Sequence, residues 1–409
     1  VTDAAAPSKT PSTAKRSPGT RRFAAWRWSR RLLALGIAVL AALILSFLTV
    51  DLGRIPGLKP AAERAATKYL ERPMHIGKIE IRPGRGEYIL RDVVIEGYVP
   101  TDRPHFEAKT IVIKTSYRTL IERQLFIDVQ VRDWTMRIEK WADHHNIPKY
   151  TPREPKEPKG KGPITFRTVS HADRGTFIYE DHTTPWSIVA PNLAFDMSWS
   201  NPDNRYAGTA GFSAGTVRIQ QYLPMRADMQ TRFFLDGSKV TLPHIDLKTD
   251  GAQTHVVGQL DFKKWPEQSY TLASDIDFGR MKEIFFAKET WIVSGRGKFE
   301  GVFNLYKDGR DLSGNFTSDL AKVNDLQFPN LRGSLEWLPG RFAVTHAEAG
   351  FYGGDTRFAY AVEPLGTPTG STQKFVADFE RVDLQRLQEL FGLKGIELRG
   401  RARGRVDMA

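Results

Sequence analysis

Between Leu125 and Glu139 the chain alternates between apolar and polar positions. Leu125, Ile127, Val129 and Val131 take one side of a two-residue repeat, while Asp128, Gln130 and Arg132 take the other. Trp134, Met136 and Ile138 then alternate with Thr135, Arg137 and Glu139. Successive side chains on a strand point to opposite faces, so this pattern predicts half-buried β-strands. The same alternation returns over Thr176–Asp181, Val256–Phe262, Lys298–Tyr306, Leu331–Leu338 and Arg357–Val362. In Leu331–Leu338 the two faces differ sharply, with Leu331, Gly333, Leu335 and Trp337 against Arg332, Ser334 and Glu336. One early stretch has a different period: Leu58–Leu70 reads as a short helix, and Pro73 with PGRG at 83–86 marks the change.

The pattern also repeats at long range. Gly237, Gly251, Gly297 and Gly301 recur as Gly340, Gly354, Gly400 and Gly404, each 103 residues later. Within the two copies, DFGRMKEIF from Asp277 corresponds to DLQRLQELF from Asp383. Phe278, Met281, Ile284 and Phe285 in the first, and Leu384, Leu387, Leu390 and Phe391 in the second, have helical spacing. A unit is therefore several strands, one short amphipathic helix and a G-x-x-x-G strand. Such units stack into elongated bodies, and strands with one apolar face leave that face in need of a cover.

One segment departs from all of this. Leu32–Val50 is nineteen residues without a charge, about 28 Å of helix at about 1.5 Å per residue. It is too long for a signal-peptide core and no small-x-small site follows Val50, which predicts an uncleaved transmembrane anchor. Eight Lys and Arg against one Asp precede it in residues 1–31, whereas Asp51 and Arg54 nearly cancel after it. The positive-inside rule then keeps the N-terminus in the cytoplasm and puts everything after Asp51 outside, with Trp26 and Trp28 near the interface.

The net charge of +12 changes meaning once it is located. The basic tail contributes +7 and Pro148–Pro163, with five basic and two acidic residues, another +3, so the β-rich remainder is nearly neutral. That footprint argues against nucleic acid as a partner. Pro148–Pro163 also has five prolines and no aliphatic residue, which predicts an extended linker or long loop.

Candidate chemistry is sparse. With no cysteine, thiolate catalysis, disulfides and cysteine metal sites are excluded. Asp143, His144 and His145 are adjacent, as are Asp181 and His182, and His171 lies two residues before Asp173. Neighbours on a strand diverge to opposite faces, and no H-x-x-x-H or H-E-x-x-H spacing exists. No nucleophile elbow or phosphate-binding loop occurs, and Asp275 with Asp277 reads as a solvated face. The expectation is no catalytic residue, no metal and no cofactor.

Several segments in order resemble the AsmA-like family of envelope proteins, which includes AsmA, TamB and YhdP types. They are the apolar anchor, LERPMHIGKIEI, LRDVVIEG, YRTLIERQLFIDVQVRDWTMRIEK, GQLDF, the Asp-led short helices and AGFYGG. The resemblance covers residues 30–409. It implies a mainly β fold, an elongated, repetitive, antiparallel β-sheet groove likened to a taco, with short helices, preceded by one transmembrane helix. It further implies an inner-membrane anchor, a periplasmic body, and phospholipid transport to the outer membrane or support of its biogenesis. The organisation expected is a cytoplasmic basic tail (1–31), the anchor (32–50), an N-terminal AsmA-like β-rich module (51–147), the Pro/Lys-rich linker or loop (148–163) and repeated β-rich modules (164–409), the last copy incomplete. Phospholipids are the expected partner and acyl chains the expected cargo. Val256, Leu260, Phe262, Leu331, Leu335 and Trp337 are expected to line the groove, with Gln259, Asp261, Arg332 and Glu336 facing solvent. A second reading is a scaffold whose strand edges assist assembly of outer-membrane β-barrel proteins.

Overall fold

The computed structural model describes residues 37–40, 51–116, 124–148, 165–183, 185–200, 202–264, 267–307, 309–365, 370–393, 395 and 397–408. The expected anchor falls outside the described residues except for 37–40, which are helical. Among the described residues no helix is long and apolar enough to cross a membrane.

The body is mainly β. Its first nine strands are β1 (Met74–Arg82), β2 (Glu87–Ile95), β3 (Phe106–Thr115), β4 (Gln124–Lys140), β5 (Thr165–Asp181), β6 (Trp186–Ser200), β7 (Arg205–Ile219), β8 (Met225–Asp236) and β9 (Lys239–Thr249). The rest are β10 (Ala252–Asp261), β11 (Gln268–Asp277), β12 (Val293–Tyr306), β13 (Gly309–Val323), β14 (Leu326–Leu338), β15 (Arg341–Phe351), β16 (Gly354–Glu363), β17 (Thr372–Asp383) and β18 (Arg401–Met408). Each pairs with the next in sequence, making one long meander. Every pair is antiparallel except β4–β5, which is parallel. A parallel pair needs the chain to return along the full strand before pairing. The connection from Lys140 to Thr165 contains Pro148–Pro163, nearly all of which lies outside the described residues.

Among the described residues after the 37–40 segment, three short helices accompany the sheet: α1 (Leu58–Leu70), α2 (Phe278–Phe285) and α3 (Leu384–Leu390). The first covers an edge. Unpaired N–H groups of β1 donate to side chains instead of a strand: Met74 N to Thr67 Oγ1 (3.1 Å), Ile76 N to Glu63 Oε1 (2.8 Å) and Ile81 N to Asp51 Oδ1 (2.8 Å). An edge strand capped this way cannot template another chain.

The other two helices carry the internal repeat. Asp277 caps α2 by accepting from Arg280 N, and Asp383 caps α3 by accepting from Gln385 N. Each helix leaves one strand and feeds the next, β11-α2-β12 and β17-α3-β18. Gly237 and Gly340 lie in the β8–β9 and β14–β15 turns, so the repeat unit advances the sheet by six strands.

Bulges and left-handed residues bend the sheet. Asp92, Asp133, Arg174, Asn192 and Ala214, on β2, β4, β5, β6 and β7, all have positive φ near 50° (49°, 51°, 52°, 54° and 56°). Bulges raise local twist and bend a strand, and an alignment of them coils the whole sheet. Further register shifts fall between Arg232 and Phe234, between Val256 and Gly258 and between Gly295 and Lys298, and over these strands the sheet closes on itself. Tyr222, after β7, lies 6.0 Å from the Trp337 ring on β14, although six strand spacings between β8 and β14 amount to about 29 Å in a flat sheet. Phe285 of α2 sits between them, 5.1 Å from Tyr222 and 4.8 Å from Trp337. Ile284 beside it is only 1% exposed, a burial that stabilises by about 2 to 3 kcal/mol.

Candidate functional site: an uncharged row across the sheet

The pairing registers connect one residue per strand into a continuous row. From β1 to β9 it reads Ile79, Leu90, Ile111, Val131, Ala172, Phe195, Ala210, Thr231 and Ile245. From β10 to β18 it continues as Val256, Leu272, Gly301, Gly314, Leu335, Val344, Tyr360, Phe375 and Met408. No member is charged, and Thr231 and Tyr360 alone carry a side-chain hydroxyl.

Every residue of the row from Leu90 to Phe375 is half-buried, neither sealed nor open. A sheet packed face to face against a second one would bury this side fully. Here the substantial contacts of each strand are with its neighbours in sequence and with the short helices, so among the described residues no second sheet covers the face. The opposite face is polar: Gln130, His171, Asp196, Thr209, Arg232 and His244 are register partners on successive strands.

Close ring contacts keep the apolar face low. Gly301 and Gly314 face each other, and the Phe299 ring, 4% exposed, lies across both. A Cβ on Gly314 would come 2.2 Å from Glu300 O and 2.8 Å from Phe299 Cζ. The Phe233 ring covers Gly208 in the same way. Aromatic rings laid over strand glycines fill the space of the missing side chains.

The six expected groove residues divide. Val256, Leu260 and Leu335 are half-buried on the apolar face, and Gln259 opposite is exposed. Leu331 shares that face but is 8% exposed, packed in a core cluster with Phe328, Ala347 and Ala349. Trp337 is also on it, beneath Phe285 of α2. Phe262 lies beyond the end of the strand. β10 ends at Asp261, whose Oδ1 accepts from Lys263 N at 3.0 Å, and this side-chain turn puts Phe262 in a 3-10 turn, 53% exposed.

A polar cluster stands at the margin of the apolar face. Lys140 and Asp181 end β4 and β5 as register partners, with Nζ 3.1 Å from Oδ2, and their side chains are 9% and 0% exposed. Around Asp181 stand Tyr179, Trp186 and Arg310, and the buried Tyr179 hydroxyl, Trp186 Nε1 and Arg310 Nη1 have no hydrogen-bond partner among the described residues. Burial lowers the Arg310 pKa, an effect that Asp181 and Tyr222 oppose. Burial and the Asp181 carboxylate together push the Tyr179 hydroxyl up. Several hydrogen-bond donors therefore surround a single carboxylate, and an acceptor-rich anion suits that arrangement.

The histidines weighed in the sequence are engaged otherwise. His144 hydrogen-bonds to Asp143 at 2.7 Å and stacks on Trp141, with ring centroids 4.6 Å apart. His171 pairs with Asp196 across β5 and β6, not with Asp173. His182 stacks on Trp141 at 5.0 Å. Asp277 is a helix cap, and Asp275 is the register partner of Lys298. Sequence reasoning missed both the Lys140–Asp181–Arg310 cluster, whose members are far apart in the chain, and a His244–Asp246–His255 group on the polar face. The H-x-D spacing at His244 was the one local signal for the latter.

Models of known protein families and curated proteins were both searched with this sequence, and neither search finds a match.

Proposed function

We propose that the chain is an AsmA-like envelope protein in which the coiled sheet forms an open, taco-like groove that carries phospholipid acyl chains. On this reading residues 32–50 anchor it in the inner membrane, the N-terminus is cytoplasmic, the bulk is periplasmic, and the groove serves phospholipid movement to, or biogenesis of, the outer membrane. The observation that carries the reading is the uncharged row joined by register through the eighteen strands and half-buried from β2 to β17.

Exposing a 16-carbon acyl chain to water costs on the order of 12 kcal/mol at about 0.8 kcal/mol per CH₂, so a carrier must offer apolar surface without a break. A row through eighteen strands is about 80 Å along its contour at about 4.8 Å per spacing. One leaflet of a bilayer's hydrocarbon core is about 15 Å thick, so the row has room for several chains end to end. The donors around Asp181 suit a phosphate head group at the margin of the same face. The reading assigns the protein no enzymatic chemistry.

A photo-crosslinking residue at Leu260 or Leu335 should capture phospholipid, and one at Gln259 or Glu336 should not. Equal labelling of both faces, or none at Leu260 and Leu335, would defeat the proposal. A topology reporter fused after Val50 should be active only outside the cytoplasm.

A second reading, a scaffold for outer-membrane β-barrel assembly, draws on a different feature. The outer edge of β18 has no strand partner among the described residues, unlike the helix-capped edge of β1. Native mass spectrometry of gently purified protein separates the two, since bound phospholipid favours the groove and bound unfolded barrel protein favours the scaffold.

A further inference from the structure

On the polar face, β9 and β10 bring two imidazoles and a carboxylate together. His244 and Asp246 are two residues apart on β9 and share a face, and Asp246 is the register partner of His255 on β10. Pro243 has no N–H to give to a ladder, and the ladder breaks around it. Register shifts fall between Arg232 and Phe234 on one flank and between Val256 and Gly258 on the other. A bulge re-aims the side chain beside it, here that of His244, and the Thr231 hydroxyl pins the turn by donating to His244 O at 2.9 Å.

The outcome is a tight group. His244 Nε2 lies 2.5 Å from Asp246 Oδ2, and His255 Nδ1 lies 2.5 Å from Asp246 Oδ1. The two rings are 6.0 Å apart and 28° from parallel, and a donor atom from each of the three residues lies within 4.8 Å of the others. Among the described residues one other group meets the same distance condition, Glu139, Glu180 and His182, but there Arg103 donates to both glutamates and already stands where a cation would. Among the described residues no Lys or Arg pairs with Asp246. Arg232, the register partner of His244, has its guanidinium over the Phe234 ring at 5.5 Å.

We propose that His244, Asp246 and His255 form a site for a divalent transition cation of the Zn²⁺ class. Two neutral imidazoles and one carboxylate are ligands such an ion accepts at about 2.0 to 2.2 Å, and three protein ligands leave a position open. Because all three stand on paired strands, small side-chain rotations are enough to bring their donor atoms to one point. The open position would face a shallow depression of about 640 Å³ on the same side of the sheet, lined by Asp196, Thr209, Gln230 and Arg232 among others. The ion would thus be held outside the groove, stapling β9 to β10 and leaving an exchangeable coordination site.

The test uses the full chain without an affinity tag. Zn²⁺ is titrated against a competing chromophoric chelator, and Co²⁺ is added separately to read its d–d absorbance. One equivalent of tightly bound ion is expected. His255→Ala and Asp246→Asn should each weaken binding by at least about a hundredfold, since even partners that merely orient a ligand are worth about 10- to 100-fold. His171→Ala, in the neighbouring two-residue pair, should leave affinity unchanged. Circular dichroism checks the fold, and His255→Gln, which keeps the strand position filled, replaces the alanine variant if that one unfolds. Absence of stoichiometric binding by the unmodified chain, unchanged affinity in the His255 and Asp246 variants, or equal loss in His171→Ala would overturn the proposal and leave an ordinary His–Asp–His hydrogen-bond group.

Discussion

Two leucines on the same face of β14, four residues apart, separate an open groove from a closed core. Leu331 is 8% exposed and packs against Phe328, Ala347 and Ala349, whereas Leu335 is half-buried with Gly314 and Val344 as its register partners. Arginine at 331 would bury a guanidinium with no partner, a cost of about 3 to 5 kcal/mol or more, against a total stability on the order of 5 to 15 kcal/mol. Arginine at 335 can run its methylenes along the face and carry its charge to the open side, so its cost is the lost leucine contact, about 1 kcal/mol. At about 2 to 4 °C per kcal/mol, Leu335→Arg should lower the melting temperature by a few degrees and Leu331→Arg by 10 °C or more. The charge left in the row must, however, be desolvated by any acyl chain laid over it. Leu335→Arg should therefore abolish co-purifying phospholipid and transfer of a fluorescent phospholipid between vesicles, while Gln259→Arg on the opposite face preserves both. Unfolding of Leu335→Arg to the same degree as Leu331→Arg would show a closed core. Unchanged lipid transfer in a folded Leu335→Arg would show that the row is not the path.

His105 is 1% exposed, and burial pushes its pKa down to about 4 from an ordinary 6.5. The unfolded chain protonates first, so this neutral imidazole's stabilisation is complete above about pH 6.5 and is lost as pH falls toward 4, for a total of about 3 kcal/mol. Urea unfolding at pH 7.5 and 4.5 should show a smaller difference in His105→Gln than in the unmodified chain, and an equal difference would refute the assignment. Gly314→Ala places a Cβ 2.2 Å from Glu300 O, a backbone atom that cannot yield cheaply, so a loss of about 1 to 3 kcal/mol is expected in thermal unfolding. Arg310→Met should reduce uptake of phosphate-bearing lipid more than uptake of a diacylglycerol with the same chains. Equal reduction of both would mean that Arg310 acts only by packing.

Much of the fold was legible in the sequence because its signals are local. The two-residue period located strands within β4, β5, β10, β12, β14 and β16, Leu58–Leu70 is the helix α1 to the residue, and both Asp-led helices begin where their caps stand. The glycine repeat anticipated a unit of several strands with one short helix, and that unit spans six strands. Local signals fail where the third dimension decides. Asx-type bonding at Asp261 ended a strand that alternation alone would extend to Phe262. Leu331 and Leu335 are the same residue on the same face, and α2, the neighbouring rings and the coil of the sheet make one core and the other half-open. The Lys140–Asp181 pair depends on a parallel pairing across a long connection, and the convergence of His244, Asp246 and His255 depends on a bulge at Pro243. No periodicity encodes either.

The row itself places a strong demand on the sequence. A one-residue slip at any pairing moves every later side chain to the other face, so an uncharged line through eighteen strands requires seventeen registers to agree. Left-handed residues within strands threaten that agreement, because each one inverts the alternation downstream on its own strand. In β4 the apolar positions are Leu125 to Val131 before Asp133 and Trp134 to Ile138 after it, odd numbers and then even. The inversion is harmless because the neighbours invert with it. Arg174 on β5 has the same positive φ and reaches back to Asp133 with a 2.8 Å ion pair, so Val131 meets Ala172 before these residues and Met136 meets Phe177 after them. Aligned left-handed residues therefore turn both strands together while β4 and β5 stay in register. Selection for stability alone does not demand this, since a half-exposed sheet face tolerates a lysine or glutamate at small cost. Sustained exclusion of charge from a row that no second sheet covers among the described residues is what the proposed path for an apolar ligand requires.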